Sequence, residues 1–266
     1  MGGTAIEIIT AAGILLSDAP RAYRILDKMS SERCIEVLRN AGGNLSPGQT
    51  LPFAKWAATS PDVEKRRRLV RKALWFSKLA VTNADNFLEK VVPHLRDLTL
   101  SEDDFTWVTI RLALDSCSDI GFDLAKMPKE QIAWVERMVP QSHLAYAQGA
   151  MGHSVQPKQA LGFLNAKLDE AHSDDLIAGY VESEDLKRHR DVISTPSGGN
   201  HGDTAFRLAT RIQDSERRVA LLVRAWRDLN KDDPKAAKQI LEIPELTAHD
   251  RAAVEAQVAP TEGGKR

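Results

Sequence analysis

The chain has 266 residues, 42% of them hydrophobic and 27% charged, which is typical of a folded protein with a sizeable core. Its formal net charge of −1 excludes a global electrostatic attraction to nucleic acid or to an anionic membrane. The longest apolar run, Ile6 to Leu16, is interrupted by Glu7 and is shorter than the roughly 20 residues that span a bilayer. We therefore expect a soluble protein with no membrane span, cytoplasmic unless a targeting segment has been removed.

Helix signals recur along the N-terminal half. Ser30 can cap a helix that ends at Asn40, and Ser60 followed by Pro61 predicts the start of another. The helix after Pro61 carries apolar residues on one face at spacings of three and four, namely Leu69, Val70, Ala73, Phe76 and Ala80. Ser101 is followed by three acidic residues and predicts a further start, because carboxylates are favourable at the positive end of the helix dipole.

The C-terminal half shows the same signals more clearly. The predicted start residues are Met127, Asp214 or Ser215, Asp233 and Thr247. Pro234 suits the first helical position after Asp233, and Asp250 forms a capping box with Thr247. Short polar turns between amphipathic helices predict antiparallel hairpins, about ten to thirteen helices in all. We expect an all-α protein whose antiparallel helical hairpins stack as an α-solenoid-like array.

Three helix starts share a pattern that predicts an internal repeat. Asp18, Gln156 and Asp233 are each followed by proline within two residues, alanine at plus four and an apolar pair at plus seven and plus eight. Three unrelated helix starts are the alternative. We expect an N-terminal helical region at 1–140, a C-terminal helical-repeat region at 141–258 and a disordered tail at 259–266, or one continuous domain.

The C-terminal half also resembles a known family. The residues that carry the resemblance are 159–164, 175–181, 205–221, Trp226, 233–237 and 246–252. They are similar to a degenerate helical repeat of bacterial proteins of unknown function, of planctomycete and verrucomicrobial type. The resemblance covers roughly residues 156 to 255 and implies an α-solenoid, but no activity. The tetratricopeptide signature is not satisfied.

The longest loop is the first candidate binding site. It runs from Ser194 to Asp203, and the predicted binding residues are Ser197, Gly198, Gly199, Asn200 and His201. A glycine-rich loop before a helix can bind an anion through backbone N–H groups. No Lys-Ser or Lys-Thr pair follows and no strand precedes, which excludes a P-loop. Binding at a repeat rim and a plain inter-repeat insertion both stay open.

A basic run at residues 65–72 is the second candidate. Lys65, Arg67, Arg68 and Arg71 could contact phosphates. On a helix, residues 64, 67, 68, 71 and 72 share the outer face, opposite Leu69, Val70 and Ala73, so an ordinary solvated face is the alternative. Nucleic-acid binding through this helix is thus one candidate function.

Titratable residues give weaker signals. No histidine pair has a metal-binding spacing, and no catalytic set or cofactor motif is present in the sequence. Cys34 and Cys117 lack a partner motif and are predicted to be buried free thiols, with a disulfide left open. An enzyme would need a groove site near His153 and His201. We expect instead a scaffold that binds a protein or peptide partner, with no cofactor and no metal; its oligomeric state stays open.

Overall fold

A computed structural model describes residues 2–42, 45–77, 87–117, 127–154, 157–167, 172–183 and 201–258, and this part of the chain consists of helices joined by turns. These residues hold fifteen α-helices, two short 3-10 helices and no β-strand, which confirms the all-α prediction. This is more than the ten to thirteen helices expected, and some neighbours are separated by a single residue, Asp18 or Asp233. The chain divides into two compact units at residues 119 and 120, before the predicted region boundary at 140 and 141.

Unit 1 contains the first seven helices. They are α1 (Gly2–Ser17), α2 (Ala19–Leu26), α3 (Ser31–Gly42), α4 (Pro47–Ala58), α5 (Val63–Ser77), α6 (Phe87–Arg96) and α7 (Glu102–Cys117). Neighbours in sequence pack as α1 with α2, α4 with α5 and α6 with α7, while α1, α3, α5 and α7 pack successively side by side. We call these four helices the odd row. Tyr23 of α2 stacks on Trp56 of α4, with ring centroids 5.0 Å apart, so these even-numbered helices also meet.

Unit 2 repeats this order of contacts. Its helices are α8 (Met127–Met138), α9 (Leu144–Met151), α10 (Pro157–Asn165), α11 (Ser173–Glu182), α12 (His201–Ala209), α13 (Ser215–Asp232), α14 (Pro234–Ile240) and α15 (Ala248–Val258). The odd row of this unit runs α9, α11, α13, α15, and the even-numbered helices α10, α12 and α14 form a second row. The short 3-10 helices flank α9, at Gln141–His143 and Gly152–Ser154. Each row helix therefore contacts the helix two places along the chain.

Most predicted helix starts are confirmed by side-chain caps. Asp214 Oδ1 accepts from the Arg217 N–H at 2.7 Å, and Asp233 Oδ1 accepts from the Ala236 N–H at 2.9 Å. The predicted start at Ser60 is wrong, because α5 begins at Val63 with Asp62 as its cap. A carboxylate caps a helix at least as well as a hydroxyl and also interacts favourably with the dipole, so Asp62 prevails over Ser60.

The three aligned helix starts occupy corresponding places in the packing. They open α2, α10 and α14, all of them even-numbered helices. The shared alanines, Ala22, Ala160 and Ala237, are each 0% exposed. The sequence pattern thus marks the positions at which these helices enter the core.

Helices α9 and α11 cross at unusually short distance. A Cβ atom on Gly149 would lie 1.8 Å from the carbonyl oxygen of Leu176, and one on Gly179 would lie 2.0 Å from that of Tyr146. Each glycine therefore sits against the backbone of the opposite helix. This crossing requires that both positions lack a side chain.

Candidate functional site

The basic helix α5 is packed within unit 1. Lys65 is 8% exposed, and its Nζ donates to the carbonyl oxygens of Leu26 at 2.8 Å and Met29 at 2.9 Å. These carbonyls belong to the C-terminal end of α2 and the turn after it, where helix carbonyls lack intrahelical donors. Lys65 therefore caps α2 from a neighbouring helix.

Two arginines of α5 share one buried carboxylate of α7. Arg66 Nε donates to Asp104 Oδ2 at 2.6 Å, and Arg67 Nε donates to Asp104 Oδ1. The Asp104 side chain is only 2% exposed. Burial alone would raise the pKa of Asp104, but the hydrogen bonds from Arg67 and Arg66 outweigh it and hold that pKa below its usual value. The carboxylate thus stays ionised and joins two helices of the odd row.

Two further arginines of α5 have acidic partners. Arg71 forms a bidentate pair with Asp115 of α7, and Arg68 contacts Glu32 of α3 at 2.6 Å. Arg71 is only 8% exposed. The interpretation of this run as a solvated outer face is therefore wrong for Arg71, which packs against α7, while the Arg67 and Arg68 side chains are 26% and 32% exposed. Its use as an anion site through Lys65, Arg67, Arg68 and Arg71 stays a prediction.

The other predicted site residues are placed only in part. Residues 197–200 of the predicted binding loop lie outside the described residues, and His201 is the first residue of α12, its side chain likewise outside them. His153 is 4% exposed, its Nε2 lies 2.7 Å from the Tyr180 carbonyl oxygen and its ring stacks on the Tyr180 ring at 4.4 Å. These contacts pack His153, in the 3-10 helix after α9, against Tyr180 of α11.

The arginine and carboxylate contact of unit 1 recurs in unit 2. Arg218 of α13 donates through Nε to Asp250 Oδ2 of α15 at 3.0 Å, and the Asp250 side chain is 2% exposed. Arg218 stands four residues after the cap Asp214, as Arg66 stands four after the cap Asp62. We call this arrangement the Arg–Asp bridge. It links α5 to α7 in one unit and α13 to α15 in the other.

Further contacts of the two bridges agree atom for atom. Arg218 Nη1 also donates to the Ile212 carbonyl, two residues before its cap, and Arg66 Nη1 donates to the Ser60 carbonyl, two before its own cap. Each acid follows a capping hydroxyl by three residues: Ser101 before Asp104 and Thr247 before Asp250. This pairing was not predicted, although both units contain the pattern Asp-x-x-x-Arg that indicates it, at residues 62–66 and 214–218.

The two bridges differ at one donor. Arg67, five residues after the cap Asp62, donates a hydrogen bond to the second carboxylate oxygen of Asp104. The residue five after the cap Asp214 is Val219, whose side chain has no donor. Asp250 Oδ1 is buried, and no described residue donates a hydrogen bond to it. Unit 2 therefore retains the buried carboxylate but has one arginine fewer.

An open groove lies between α13 and α15 of unit 2. Its volume is about 320 Å³, and its lining residues are Ser215, Glu216, Val219, Ala220, His249 and Gln257. Ala220, Glu216 and His249 are exposed, and Val219 is half-buried. The small side chains of α13, Ser215, Val219 and Ala220, form one side of the groove, which we call its floor, and polar groups of Glu216, His249 and Gln257 complete the lining.

Other chemistry is sparse in the part of the chain that the structure describes. Among those residues, no group of three His, Cys, Asp or Glu side chains is placed to hold a metal ion, and no helix is long and apolar enough to cross a bilayer. Cys34 is a free buried thiol, and burial raises its pKa to about 11. The side chain of Cys117 lies outside the described residues, so the redox state of that cysteine stays a prediction.

Comparisons with family models, with curated proteins and with solved structures found no match to this chain. The resemblance to bacterial helical repeats therefore stays a prediction that rests on residues 156 to 255.

Proposed function

We propose that this chain is a helical-repeat scaffold that binds a protein or peptide partner through the groove between α13 and α15. The observation that carries the proposal is this groove, an exposed channel between two adjacent helices of the odd row. Stacked helical repeats present such channels to extended partners. Ala220 on the groove floor leaves room for a partner side chain to approach the helix.

The order of helix contacts supports a stacked-hairpin arrangement within each unit. Contacts between each helix and the one two places along the chain are typical of α-solenoids, in which a repeat touches its neighbours. Helices α2, α10 and α14 each have a buried alanine near the start, and this shared position supports a common origin of the hairpins. The alanines are Ala22, Ala160 and Ala237. The recurrence of the Arg–Asp bridge extends the same argument to the N-terminal half, where the sequence pattern is weaker.

Two rival functions have less support. A nucleic-acid contact through α5 would have to replace existing partners of Arg67, Arg68 and Arg71 with phosphates, and Arg71 is buried. Exchanging a paired, partly buried arginine for a solvated phosphate contact gains little. An active site at His153 would need that ring to leave its stack with Tyr180 and its contact with the Tyr180 carbonyl.

A peptide-display library panned on the immobilised full chain tests the proposal. We expect selected peptides to lose affinity for Ala220→Trp, whose indole fills the groove floor, and to keep it for Ala166→Trp. Ala166 is an exposed residue of the same unit, outside the residues that line the groove. Circular dichroism checks that both variants fold. Peptides that bind Ala220→Trp as well as wild type would contradict the choice of groove.

A further inference from the structure

The difference between the two Arg–Asp bridges points to a ligand. In unit 1 both oxygens of the buried Asp104 carboxylate accept from arginines, one from Arg66 and one from Arg67. In unit 2 Arg218 and the Thr247 hydroxyl both donate to Oδ2 of Asp250, and the donor to Oδ1 has been replaced by Val219. A buried carboxylate oxygen without a donor is unfavourable, because it has lost hydration without gaining a hydrogen bond.

The position of this oxygen relates it to the groove. In unit 1 the corresponding oxygen faces the residue five after the helix cap, which is Arg67. The same position in unit 2 is Val219, one of the residues that line the groove. The next residue before Asp250 in sequence, His249, is exposed and lines the groove as well. By the correspondence of Val219 with Arg67, a ligand that displaces the Val219 side chain from the groove would approach Oδ1.

The charges around the groove favour a cation. Glu216 is the charged residue among the described lining residues, and none of them is lysine or arginine. Arginines near the groove already have partners: Arg218 pairs with Asp250, Arg217 with Asp175, and Arg227 donates to the Gln257 carbonyl. A cationic group that enters from solvent would therefore meet the Glu216 carboxylate and no lysine or arginine among the described lining residues.

We propose that Asp250 is a guanidinium-binding subsite, and that the partner inserts an arginine side chain into the α13–α15 groove where unit 1 has Arg67. The inference rests on the proposed function and specifies the chemistry of the partner. A guanidinium is favoured over an ammonium because its planar N–H groups can reach a carboxylate oxygen edge-on, as Arg67 does through Nε. The incoming guanidinium would donate to Oδ1, so that both carboxylate oxygens of Asp250 would accept hydrogen bonds.

Titration of the 15N-labelled full chain with N-acetyl-arginine amide tests this subsite, with N-acetyl-citrulline amide as the neutral isostere. We expect saturable amide shifts in α13 and α15, with affinity at least about tenfold higher for arginine than for citrulline, because only arginine makes a charge-assisted hydrogen bond. Equal affinities would overturn the proposal.

Two variants assign the effect to the carboxylate. Asp250→Asn should remove the preference for arginine, but it also removes the partner of Arg218 and therefore needs a second variant beside it. Val219→Arg restores the unit 1 pattern and should fold, resist thermal unfolding better than wild type, and no longer prefer arginine amide. A preference for arginine that persists in Val219→Arg would overturn the assignment.

Unit 1 supplies a matched positive control. Arg67→Ala deprives Asp104 Oδ1 of its donor and recreates the arrangement of unit 2. Millimolar methylguanidinium should raise the thermal midpoint of Arg67→Ala more than that of wild type, whereas methylurea should not. An equal response of the two proteins would contradict the equivalence of the bridges.

The panned peptides separate this inference from the proposed function. Both the scaffold proposal and the subsite are supported if the selected peptides bind in the groove through an arginine and lose affinity when that arginine is replaced by citrulline. Peptides that lose affinity for Ala220→Trp but contain no required arginine uphold the scaffold proposal and overturn the subsite. An arginine-amide site at Asp250 together with peptides indifferent to Ala220→Trp upholds the subsite and contradicts the groove function.

Discussion

The crossing of α9 and α11 gives a strong stability prediction. In Gly179→Ala the new Cβ would start 2.0 Å from the Tyr146 carbonyl oxygen, whereas an ordinary contact is at least 3.4 Å. The helices must therefore separate locally by about 1.4 Å, because the opposing atom is backbone and cannot rotate away. Gly149→Ala presents the same conflict with Leu176, with a still shorter distance of 1.8 Å.

Two terms of opposite sign set the magnitude. Overpacking of this kind costs about 3 kcal/mol, the upper end of the usual range, because the clash is with main chain. Alanine recovers about 1 kcal/mol through its higher helix propensity. We expect a net loss of about 2 kcal/mol in the free energy of unfolding, or a midpoint lower by about 4–8 °C for a unit of this size.

Urea denaturation followed by circular dichroism at 222 nm measures this loss. Gly162→Ala is the matched control, because a Cβ at that exposed position of α10 meets nothing within 4 Å. That variant should gain about 0.5–1 kcal/mol. If Gly179→Ala were as stable as Gly162→Ala, the close backbone approach of α9 and α11 would be refuted.

Three further predictions concern unit 1. The pKa of Asp104 is lower in the folded protein than in the unfolded chain, so its ionised carboxylate stabilises the fold. This stabilisation is present above the unfolded pKa of about 3.9 and is lost as the pH falls through the folded pKa. Urea midpoints should therefore drop less between pH 7 and pH 3 in Asp104→Asn than in wild type. Lys65→Met should lower the free energy of unfolding by about 2–3 kcal/mol, since it removes a charged donor from buried carbonyls, while the exposed Lys28→Met should change it by less than about 0.5 kcal/mol. In a Cys117→Ser background, iodoacetamide should label Cys34 at pH 8 more than about a hundredfold slower than an unfolded thiol, because the thiol is buried with a pKa of about 11; labelling at the unfolded rate would refute its burial.

Helix starts were predictable from sequence because they depend on local chemistry. Asp214, Asp233 and Thr247 each satisfy backbone N–H groups within three residues, so a short window of sequence contains the information. The error at Ser60 has the same origin. Ser60 and Asp62 lie two residues apart and can each cap a helix here, and the Asp62 carboxylate is the one that does.

The basic face of α5 was misread because its environment comes from distant residues. Periodicity correctly placed Leu69 and Val70 in the core. It could not show that Asp104 and Asp115, 37 to 44 residues further along, cover the opposite side. A charge run looks solvated in sequence whenever its partners lie on another helix.

The groove was not predicted for a related reason. Ser215, Val219 and Ala220 read as ordinary helix positions, and only the approach of α15 makes them a channel. The sequence also does not show that Asp250 Oδ1 lacks a donor, because that depends on the contact between α13 and α15. The predicted loop at 197–201 remains a candidate on sequence alone.

The two residues of each Arg–Asp bridge are synthesised in the same order. In each unit the arginine is synthesised first and its carboxylate follows, 38 residues later for Arg66 and 32 residues later for Arg218. At 5–20 residues per second the ribosome delivers the acid roughly 2–8 seconds after the base. Until then Arg66 and Arg218 lack the carboxylates that they pair with in the folded units. A pause in translation between the two residues would therefore leave a charged intermediate in water, and the arrival of α7 or α15 would close each row.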